Sequence, residues 1–256
     1  MKVSISRLKL FKACRRAYEL RYIKNLVPIQ KAEALEIGSS YHDKLESLYN
    51  MGEFECEPSM ATAMALAYKK YIYPQFKVEE AEKDFTYDLG DGDELVGRID
   101  AIAKDGNIVE HKTTGQTNLD EYEFSLMWDE QLLAYMLVKD VRKVYYTICR
   151  KPNIRQKQNE SDEDFFKRMV DWYDDDTNEK IRLVELVKTD DDVQEFKDNL
   201  MQTLKELKTT STMYRNTCHC SQYGRRCEYS GICLEKQLAD SYVGYERREE
   251  YANNKD

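Results

Sequence analysis

The sequence LVGRID at residues 95–100, followed by AIAKDGN at 101–107 and IVEHKTT at 108–114, decides the fold of this chain. It predicts two strands joined by a tight turn at Asp105-Gly106-Asn107. Successive side chains of a strand point to opposite faces, so Glu110 and Lys112 emerge on one face. Two carboxylates, from Asp100 and Glu110, and one ammonium group are costly to desolvate on a half-buried sheet. A divalent metal ion and a phosphate group would supply the partners they lack.

The length of the turn decides whether these groups share a face. A two-residue loop would point Asp100 away from Glu110, whereas a three-residue loop over 105–107 would place Asp100 opposite Lys112. Asn107 tolerates positive φ better than most residues and suits the last position of such a loop. We therefore predict the three-residue loop or an equivalent bulge. The alternative is a surface hairpin whose charges are solvated.

Size and charge indicate a soluble protein. The chain has 256 residues and a net charge of −9, with no apolar run long enough for a membrane span and no apolar signal segment. We expect a cytoplasmic protein without a membrane partner, organised as one domain over residues 1–256. Residues 1–31 nevertheless carry nine Lys or Arg against one acid, Glu19. Such a basic segment can bind a phosphate backbone, although a solvated helix face fits the charges as well.

The cysteines favour a shared metal or cluster. There are seven, an odd number that argues against a disulfide framework. Four of them lie within sixteen residues: Cys218, Cys220, Cys227 and Cys233. These four could hold zinc, with His219 as a competing ligand, or three of them together with Cys14 could hold an iron–sulfur cluster. The spacing alone leaves both ligand sets open.

Periodicity along the chain predicts an α/β fold with a central mixed sheet and helices packed on it. Helices are predicted from Ser4 or Ser6 to about Lys24, and over 32–49, 59–73, 120–139, 162–172 and 190–207. Besides the hairpin, strands are predicted over 85–89, 144–149 and 181–187. The polar segment 151–180 is treated as an insertion or mobile flap. A charged helical tail follows the cysteines.

Two of these helices carry polar side chains that can reach the hairpin. His42 follows Gly38 by one turn, where small residues allow another backbone or a ligand to approach closely. A lone helical histidine is more often structural than a ligand. Gln131 and Tyr135 lie one turn apart on the helix after the hairpin, for which a partly buried aromatic helix is the simpler explanation.

Together these motifs resemble the RecB-type branch of the PD-(D/E)xK nucleases. The resemblance is closest to its iron–sulfur members: the CRISPR-associated RecB-like exonucleases, the AddB nuclease domain, exonuclease V and related phage exonucleases. The motifs that carry it are G-x-x-x-H at 38–42, the aspartate of G-R-I-D at 100, E-x-K at 110–112 and Q-x-x-x-Y at 131–135. The resemblance implies a restriction-endonuclease-like core over about residues 32–150. It also implies an iron–sulfur region formed by both termini, from Cys14 and residues 214–235.

The same resemblance implies a [4Fe–4S] cluster. Its ligands would be Cys14, Cys220, Cys227 and Cys233, with Tyr223-Gly224 between the first two late ligands. Cys218 is an extra thiol, so the choice between Cys218 and Cys220 stays open.

The resemblance also implies an activity and its residues. Mg²⁺ or Mn²⁺ would be held by His42, Asp100, Glu110 and the backbone carbonyl of His111. Lys112 would orient the attacking water and offset charge on the phosphorane. Gln131 and Tyr135 would hold the nucleic acid strand or the groups behind the site.

The implied function is a metal-dependent DNA exonuclease on single strands, working 5′ to 3′, with helicase, recombination or CRISPR-adaptation partners. One alternative is a catalytically silent iron–sulfur subunit that binds nucleic acid or assembles a recombination or CRISPR-type complex. Another is a zinc-knuckle RNA-binding protein.

Overall fold

The computed structural model describes residues 1–30, 33–222, 225–234 and 243–248. The chain divides into two units, each built from segments that are distant in the sequence. The sheet unit comprises residues 32–84 and 98–194, and the cysteine unit comprises residues 1–31, 85–97 and 195–256. The single domain over 1–256, with its core at about 32–150, stays a prediction. Every helix in the described ranges is too short or too polar to span a bilayer.

The sheet unit is built on four strands that form a mixed sheet, as the sequence predicts. They are β4 (Asp93–Ala103, from residue 98 onward), β5 (Ile108–Thr114), β6 (Lys143–Arg150) and β7 (Ile181–Val187). β5 and β6 run parallel, whereas β4 is antiparallel to β5 and β7 is antiparallel to β6. The long strand β3 (Val78–Gly90) also pairs with β4.

Helices cover both faces of this sheet. They are α3 (Glu33–Met51), α4 (Met60–Tyr71), α5 (Leu119–Leu126), α6 (Glu130–Lys139) and α7 (Asp162–Asp171). His111 of β5 contacts Tyr49 of α3, whereas its neighbour Lys112 contacts Gln131 of α6. Because adjacent side chains of a strand point to opposite faces, α3 and α6 lie on opposite sides of the sheet.

The predicted helix over 120–139 is wrong in one respect, since it consists of two helices, α5 and α6. The carboxylate of Asp129 accepts the backbone N–H of Gln131 at 3.1 Å and caps the start of α6. Apolar spacing runs through both helices and therefore does not reveal the cap between them.

The segment 151–180 is irregular up to residue 161 and then forms α7. Beyond α7, Tyr173 is fully buried in the core that α3 and α4 form with the sheet. Its hydroxyl donates to the carbonyl of Arg150 at 2.6 Å. The second half of the segment is thus anchored to the core.

The hairpin turn has three loop residues, but it lies one position earlier than predicted. Ala103 donates to the carbonyl of Asn107 at 2.8 Å, which closes a loop of residues 104–106. Gly106 has φ +81°, so the prediction of positive φ at Asn107 is wrong. Glycine takes the left-handed conformation without the steric cost that a side chain adds.

The register of the strands follows from this turn. Ala101 pairs with Val109 and Ile102 with Ile108, so continuing the ladder would set Asp100 opposite Glu110 and not opposite Lys112. Because this loop also has three residues, Asp100 would still lie on the same face of the sheet as Glu110 and Lys112.

The cysteine unit begins with β1 (Lys2–Val3), which pairs in parallel with the first residues of β4. Its other elements are α1 (Ile5–Ala13), α2 (Arg15–Tyr18), β2 (Leu26–Pro28), α8 (Asp190–Thr209, from residue 195 onward), β8 (Ser221–Gln222), β9 (Arg225–Arg226), α9 (Ser230–Leu234) and β10 (Tyr245–Arg247). β10 pairs with β2, so a strand lies where the sequence predicts a helical tail.

The predicted helix from Ser4 to about Lys24 is interrupted. Ser4 caps its start by accepting the N–H of Arg7 at 3.3 Å. Cys14 is extended, with φ −160° and ψ 108°, and separates α1 from α2. A single-residue break of this kind leaves the apolar periodicity intact, which is why the sequence suggests one continuous helix.

Candidate active site

A polar network surrounds β5 on the face that α6 covers. The ammonium group of Lys112 donates to Glu110 Oε1 at 2.5 Å and to Gln131 Oε1 at 2.9 Å. The amide of Gln131 donates to the hydroxyl of Tyr135 at 2.6 Å, and that hydroxyl donates to the carbonyl of Arg98 at 2.6 Å. Gln131 and Tyr135 therefore connect Lys112 to the backbone of β4 and fix the position of its ammonium group.

Asp100 lies at the point where β4 leaves β5. Its Oδ2 accepts the backbone N–H of His111 at 2.8 Å, and its Oδ1 lies 3.6 Å from Nδ1 of His42. Helix α3 brings His42 to this point because Gly38 lies against β5. A Cβ atom added to Gly38 would meet the hydroxyl of Thr113 at 3.5 Å.

The side chain of His111 belongs to the opposite face of β5. Its Nδ1 is 2.6 Å from the hydroxyl of Thr147, and its Nε2 is 3.0 Å from the hydroxyl of Tyr49. Both ring nitrogens are thus engaged by hydroxyl groups, which leaves only its backbone to face Asp100.

One oxygen of Glu110 lacks a partner. The residue is 1% exposed, and its Oε2 atom is buried without a hydrogen bond among the described residues. A buried carboxylate oxygen without a partner is costly and uncommon in native proteins. A divalent cation is the natural partner for such an atom, so the donor set of this site fits a hard metal ion.

Electrostatics couple these groups tightly. Burial disfavours a charge on His42, but the carboxylate of Asp100 outweighs it and raises the pKa of His42 to about 9. Burial also opposes the charge of Asp100, yet His42 lowers the pKa of Asp100 below its ordinary value. Burial, together with the charge of Asp100, raises the pKa of Glu110. Burial lowers the pKa of His111 to about 3, so that imidazole is neutral.

A further carboxylate, Glu82 of β3, completes a group that the sequence does not predict. The side chains of three residues each place one potential metal-ligand atom within 4.8 Å of the other two: His42, Glu82 and Asp100. No other group of three such ligand atoms occurs among the described residues. Glu110 lies outside this group and pairs with Lys112 instead. Nothing in the sequence distinguishes Glu82, because it is one of four acids in residues 79–84 and lies before the predicted strand.

Three of the predicted cluster cysteines lie in one apolar group of the cysteine unit. Cys14 is buried there, and Cys227 and Cys233 pack against the same group. Cys220 accepts the N–H of Cys227 at 2.9 Å through its carbonyl, whereas Cys218 is exposed.

The cysteines are free thiols, and no group of three sulfur atoms among the described residues lies within 4.8 Å. Asn216 lies between two of them, since its N–H is 3.4 Å from Sγ of Cys14 and its carbonyl is 3.8 Å from Sγ of Cys220. Tyr223-Gly224 lies outside the described residues.

The sheet unit is thus a mixed α/β fold with helices on both faces of a sheet that carries an aspartate and a Glu-x-Lys pair. The model of the PD-(D/E)XK nuclease superfamily matches residues 2–72 and 55–234, most of the chain. The chain belongs to this superfamily, whose members use a divalent metal ion.

Solved structures similar to this chain include a putative exonuclease from Eubacterium rectale, at 12% identity and a TM-score of 0.46, covering 90% of this chain and 92% of that one. An alkaline exonuclease from Laribacter hongkongensis has 12% identity and a TM-score of 0.38, over 81% of this chain and 88% of that one. A phage-related exonuclease from Haemophilus somnus has 14% identity and a TM-score of 0.34, over 71% and 89%. A search of the curated proteins found no match.

Proposed function

We propose that this protein is a Mg²⁺- or Mn²⁺-dependent deoxyribonuclease that removes nucleotides from an end of single-stranded DNA. The observation that carries the proposal is the buried network around Lys112. Its ammonium group is fixed between Glu110 and Gln131, beside a carboxylate oxygen that has no hydrogen-bond partner in the described part of the chain. A fixed cation next to a metal ion promotes hydrolysis of a phosphodiester, because both stabilise the negative charge that develops in the transition state.

His42, Asp100, Glu110 and the backbone carbonyl of His111 would hold the divalent ion, through oxygen ligands and one imidazole. When bound, the ion supplies a water of lowered pKa and polarises a phosphoryl oxygen. The chain's own part is to present these ligands from three elements, β4, β5 and α3, that the sheet unit holds in place.

Lys112 is the group that acts on the substrate directly. Burial opposes its charge, but Glu110 and Asp100 outweigh burial and raise the pKa of its ammonium group above the ordinary value. It therefore stays protonated at neutral pH and can donate to the attacking water or to a phosphate oxygen. Gln131 and Tyr135 position it through the bonds described above.

Exposed aromatic side chains near α6 support a preference for unpaired strands. Trp128 is 73% exposed and Phe124 is 68% exposed, with ring centroids 6.5 Å apart. Trp128 directly precedes Asp129, the residue that caps α6. Exposed aromatic rings can stack on the unpaired bases of single strands, whereas the bases of duplex DNA are already stacked on each other. The 5′ to 3′ direction and the helicase, recombination or CRISPR-adaptation partners rest on the resemblance of the motifs.

We also propose a [4Fe–4S] cluster on Cys14, Cys220, Cys227 and Cys233. The free thiols of Cys14, Cys227 and Cys233 in one apolar group suit a cluster of this kind, and the exposure of Cys218 favours Cys220 as the fourth ligand. Its role is structural, because it would join the first helices to the last part of the cysteine unit.

The test is digestion of end-labelled single-stranded and double-stranded DNA by protein purified without oxygen. We expect Mn²⁺-dependent release of nucleotides from single strands, abolished by EDTA. Trp128→Ala should weaken binding of single strands while leaving duplex binding unchanged. Binding of DNA without any cleavage in Mn²⁺ would contradict the proposal and would indicate the silent binding subunit instead.

A further inference from the structure

We propose that Glu82 is a direct ligand of the divalent ion, which it binds together with His42 and Asp100. This inference rests on the proposed function and adds a carboxylate that no motif in the sequence assigns to the site. It also gives β3 a part in the chemistry, beside β4, β5 and α3.

The geometry of the three side chains carries the inference. The ligand atoms of His42, Glu82 and Asp100 lie within 4.8 Å of one another, a spacing that one ion can bridge after small side-chain movements. Glu82 is largely buried, with 19% of its side chain exposed, and Asp100 is at 13%. Two half-buried carboxylates at this separation repel each other, and a cation between them removes the repulsion.

A second observation points to the same ion. Among the residues that the structure describes, none gives a hydrogen bond to the buried Oε2 atom of Glu110, and the charges of Asp100 and His42 both act on this carboxyl group. Glu82, Asp100 and Glu110 together bring three carboxyl groups close to His42 and Lys112, while Arg98, the cation beside Glu82, makes its hydrogen bonds to Asp84. A divalent ion would engage the free oxygen of Glu110 and balance the remaining negative charge.

The backbone of β3 presents Glu82 in an unusual way. Glu82 has φ +48° in the middle of the thirteen-residue strand β3. The left-handed conformation costs a side chain about 1 kcal/mol or more, so the surroundings must hold it there. Because of this local change in the backbone, the side chain of Glu82 need not follow the alternation of side-chain directions along β3.

The competing explanation is that Glu82 serves only to pair with Arg98. The guanidinium group of Arg98 forms an ion pair with Glu82 at 3.5 Å but makes two shorter hydrogen bonds to Asp84, at 2.6 and 3.1 Å. Asp84 is therefore the main partner of Arg98, and Asp84→Asn is a matched control. If Glu82 acts through Arg98, loss of Asp84 should have the larger effect.

The experiment is calorimetric titration of Mn²⁺ into the full-length protein without nucleic acid. We compare wild type with Glu82→Gln, Asp84→Asn and Asp100→Asn, after circular dichroism has shown that each variant is folded. Glutamine keeps the size of the side chain and removes its charge. We expect Glu82→Gln to weaken Mn²⁺ binding at least tenfold, Asp84→Asn to bind within twofold of wild type, and Asp100→Asn to lose binding.

Cleavage gives a second readout. In Glu82→Gln the Mn²⁺ concentration for half-maximal cleavage should rise in step with the weaker binding, and excess Mn²⁺ should restore part of the rate. Wild-type affinity in Glu82→Gln, with binding lost in Asp100→Asn, would overturn the role of Glu82 and leave the nuclease proposal intact. A wild-type protein that neither binds Mn²⁺ nor cleaves DNA would overturn both.

Discussion

The two candidate sites of this protein differ in how completely the fold assembles them. In the sheet unit, Lys112, Glu110, Gln131 and Tyr135 already form a continuous set of hydrogen bonds. In the cysteine unit, Cys14, Cys227 and Cys233 share one apolar group, but no three sulfur atoms among the described residues lie within 4.8 Å. A long strand and a long helix fix the side chains of the first site, whereas the cysteines are spread over short separate segments and depend on their ligand to bring them together. The first site should tolerate loss of its ion, and the second should not.

The largest expected effect is loss of cleavage on substitution of Lys112. Lys112→Met keeps the stem of the side chain and removes the ammonium group, so we expect cleavage to fall about 10³-fold or more with the fold unchanged. Digestion of end-labelled single-stranded DNA measures this.

Lys104→Met, in the exposed hairpin loop, is the matched control and should cleave like wild type. Cleavage by Lys112→Met within a few-fold of wild type would refute the role of Lys112. The hydrogen-bonded network of the sheet unit would then not be a preassembled active site.

The sequence predicts the centre of this site well, because strand alternation alone puts Glu110 and Lys112 on one face. It is less reliable wherever a single residue redirects the chain. Gly106 shifts the turn by one position, Asp129 divides a helix, and Cys14 interrupts another. Glu82 could not be predicted, since only the tertiary fold distinguishes it from the acids beside it.

The next largest effect concerns the cysteine unit. Cys227→Ala should remove the iron and its visible absorbance, and lower the free energy of unfolding by on the order of 4 kcal/mol, by analogy with a disulfide that closes a long loop. Iron analysis and denaturant titration of anaerobically purified protein measure both quantities.

Cys218→Ala is the control, because Cys218 is exposed. It should retain iron and stability. Wild-type protein with zinc and no iron, or iron lost from Cys218→Ala as readily as from Cys227→Ala, would contradict the ligand set.

The pH dependence of the free energy of unfolding tests the contact between His42 and Asp100 in the metal-free protein. The pKa of His42 rises from 6.5 to about 9 on folding. The stabilisation from the extra proton is therefore complete below pH 6.5 and is lost as the pH approaches 9. We expect the free energy of unfolding of the metal-free protein to fall by on the order of 1–3 kcal/mol across this window.

Urea titrations in EDTA at several pH values between 6 and 9.5 test this. His42→Gln, which has no imidazole to titrate, should show a flatter profile than wild type. A wild-type stability that rises between pH 6.5 and 9 would show that Asp100 does not hold a proton on His42.

The smallest expected effect is that of Tyr135→Phe. Loss of its hydroxyl breaks the connection between Gln131 and the carbonyl of Arg98, so Lys112 becomes less well positioned. We expect kcat to fall about tenfold with KM nearly unchanged.

Tyr145→Phe is the control, because it removes a hydroxyl bonded to the exposed Asp105. It should leave both constants as in wild type. An effect on KM alone would indicate that Tyr135 binds the strand and does not position Lys112.

The most direct measurement is a crystal structure with Mn²⁺, located by its anomalous scattering. We expect one strong peak in contact with the carboxylates of Asp100 and Glu110, with Lys112 beside it. A peak elsewhere, or carboxylates that turn away from each other with no cation between them, would contradict it.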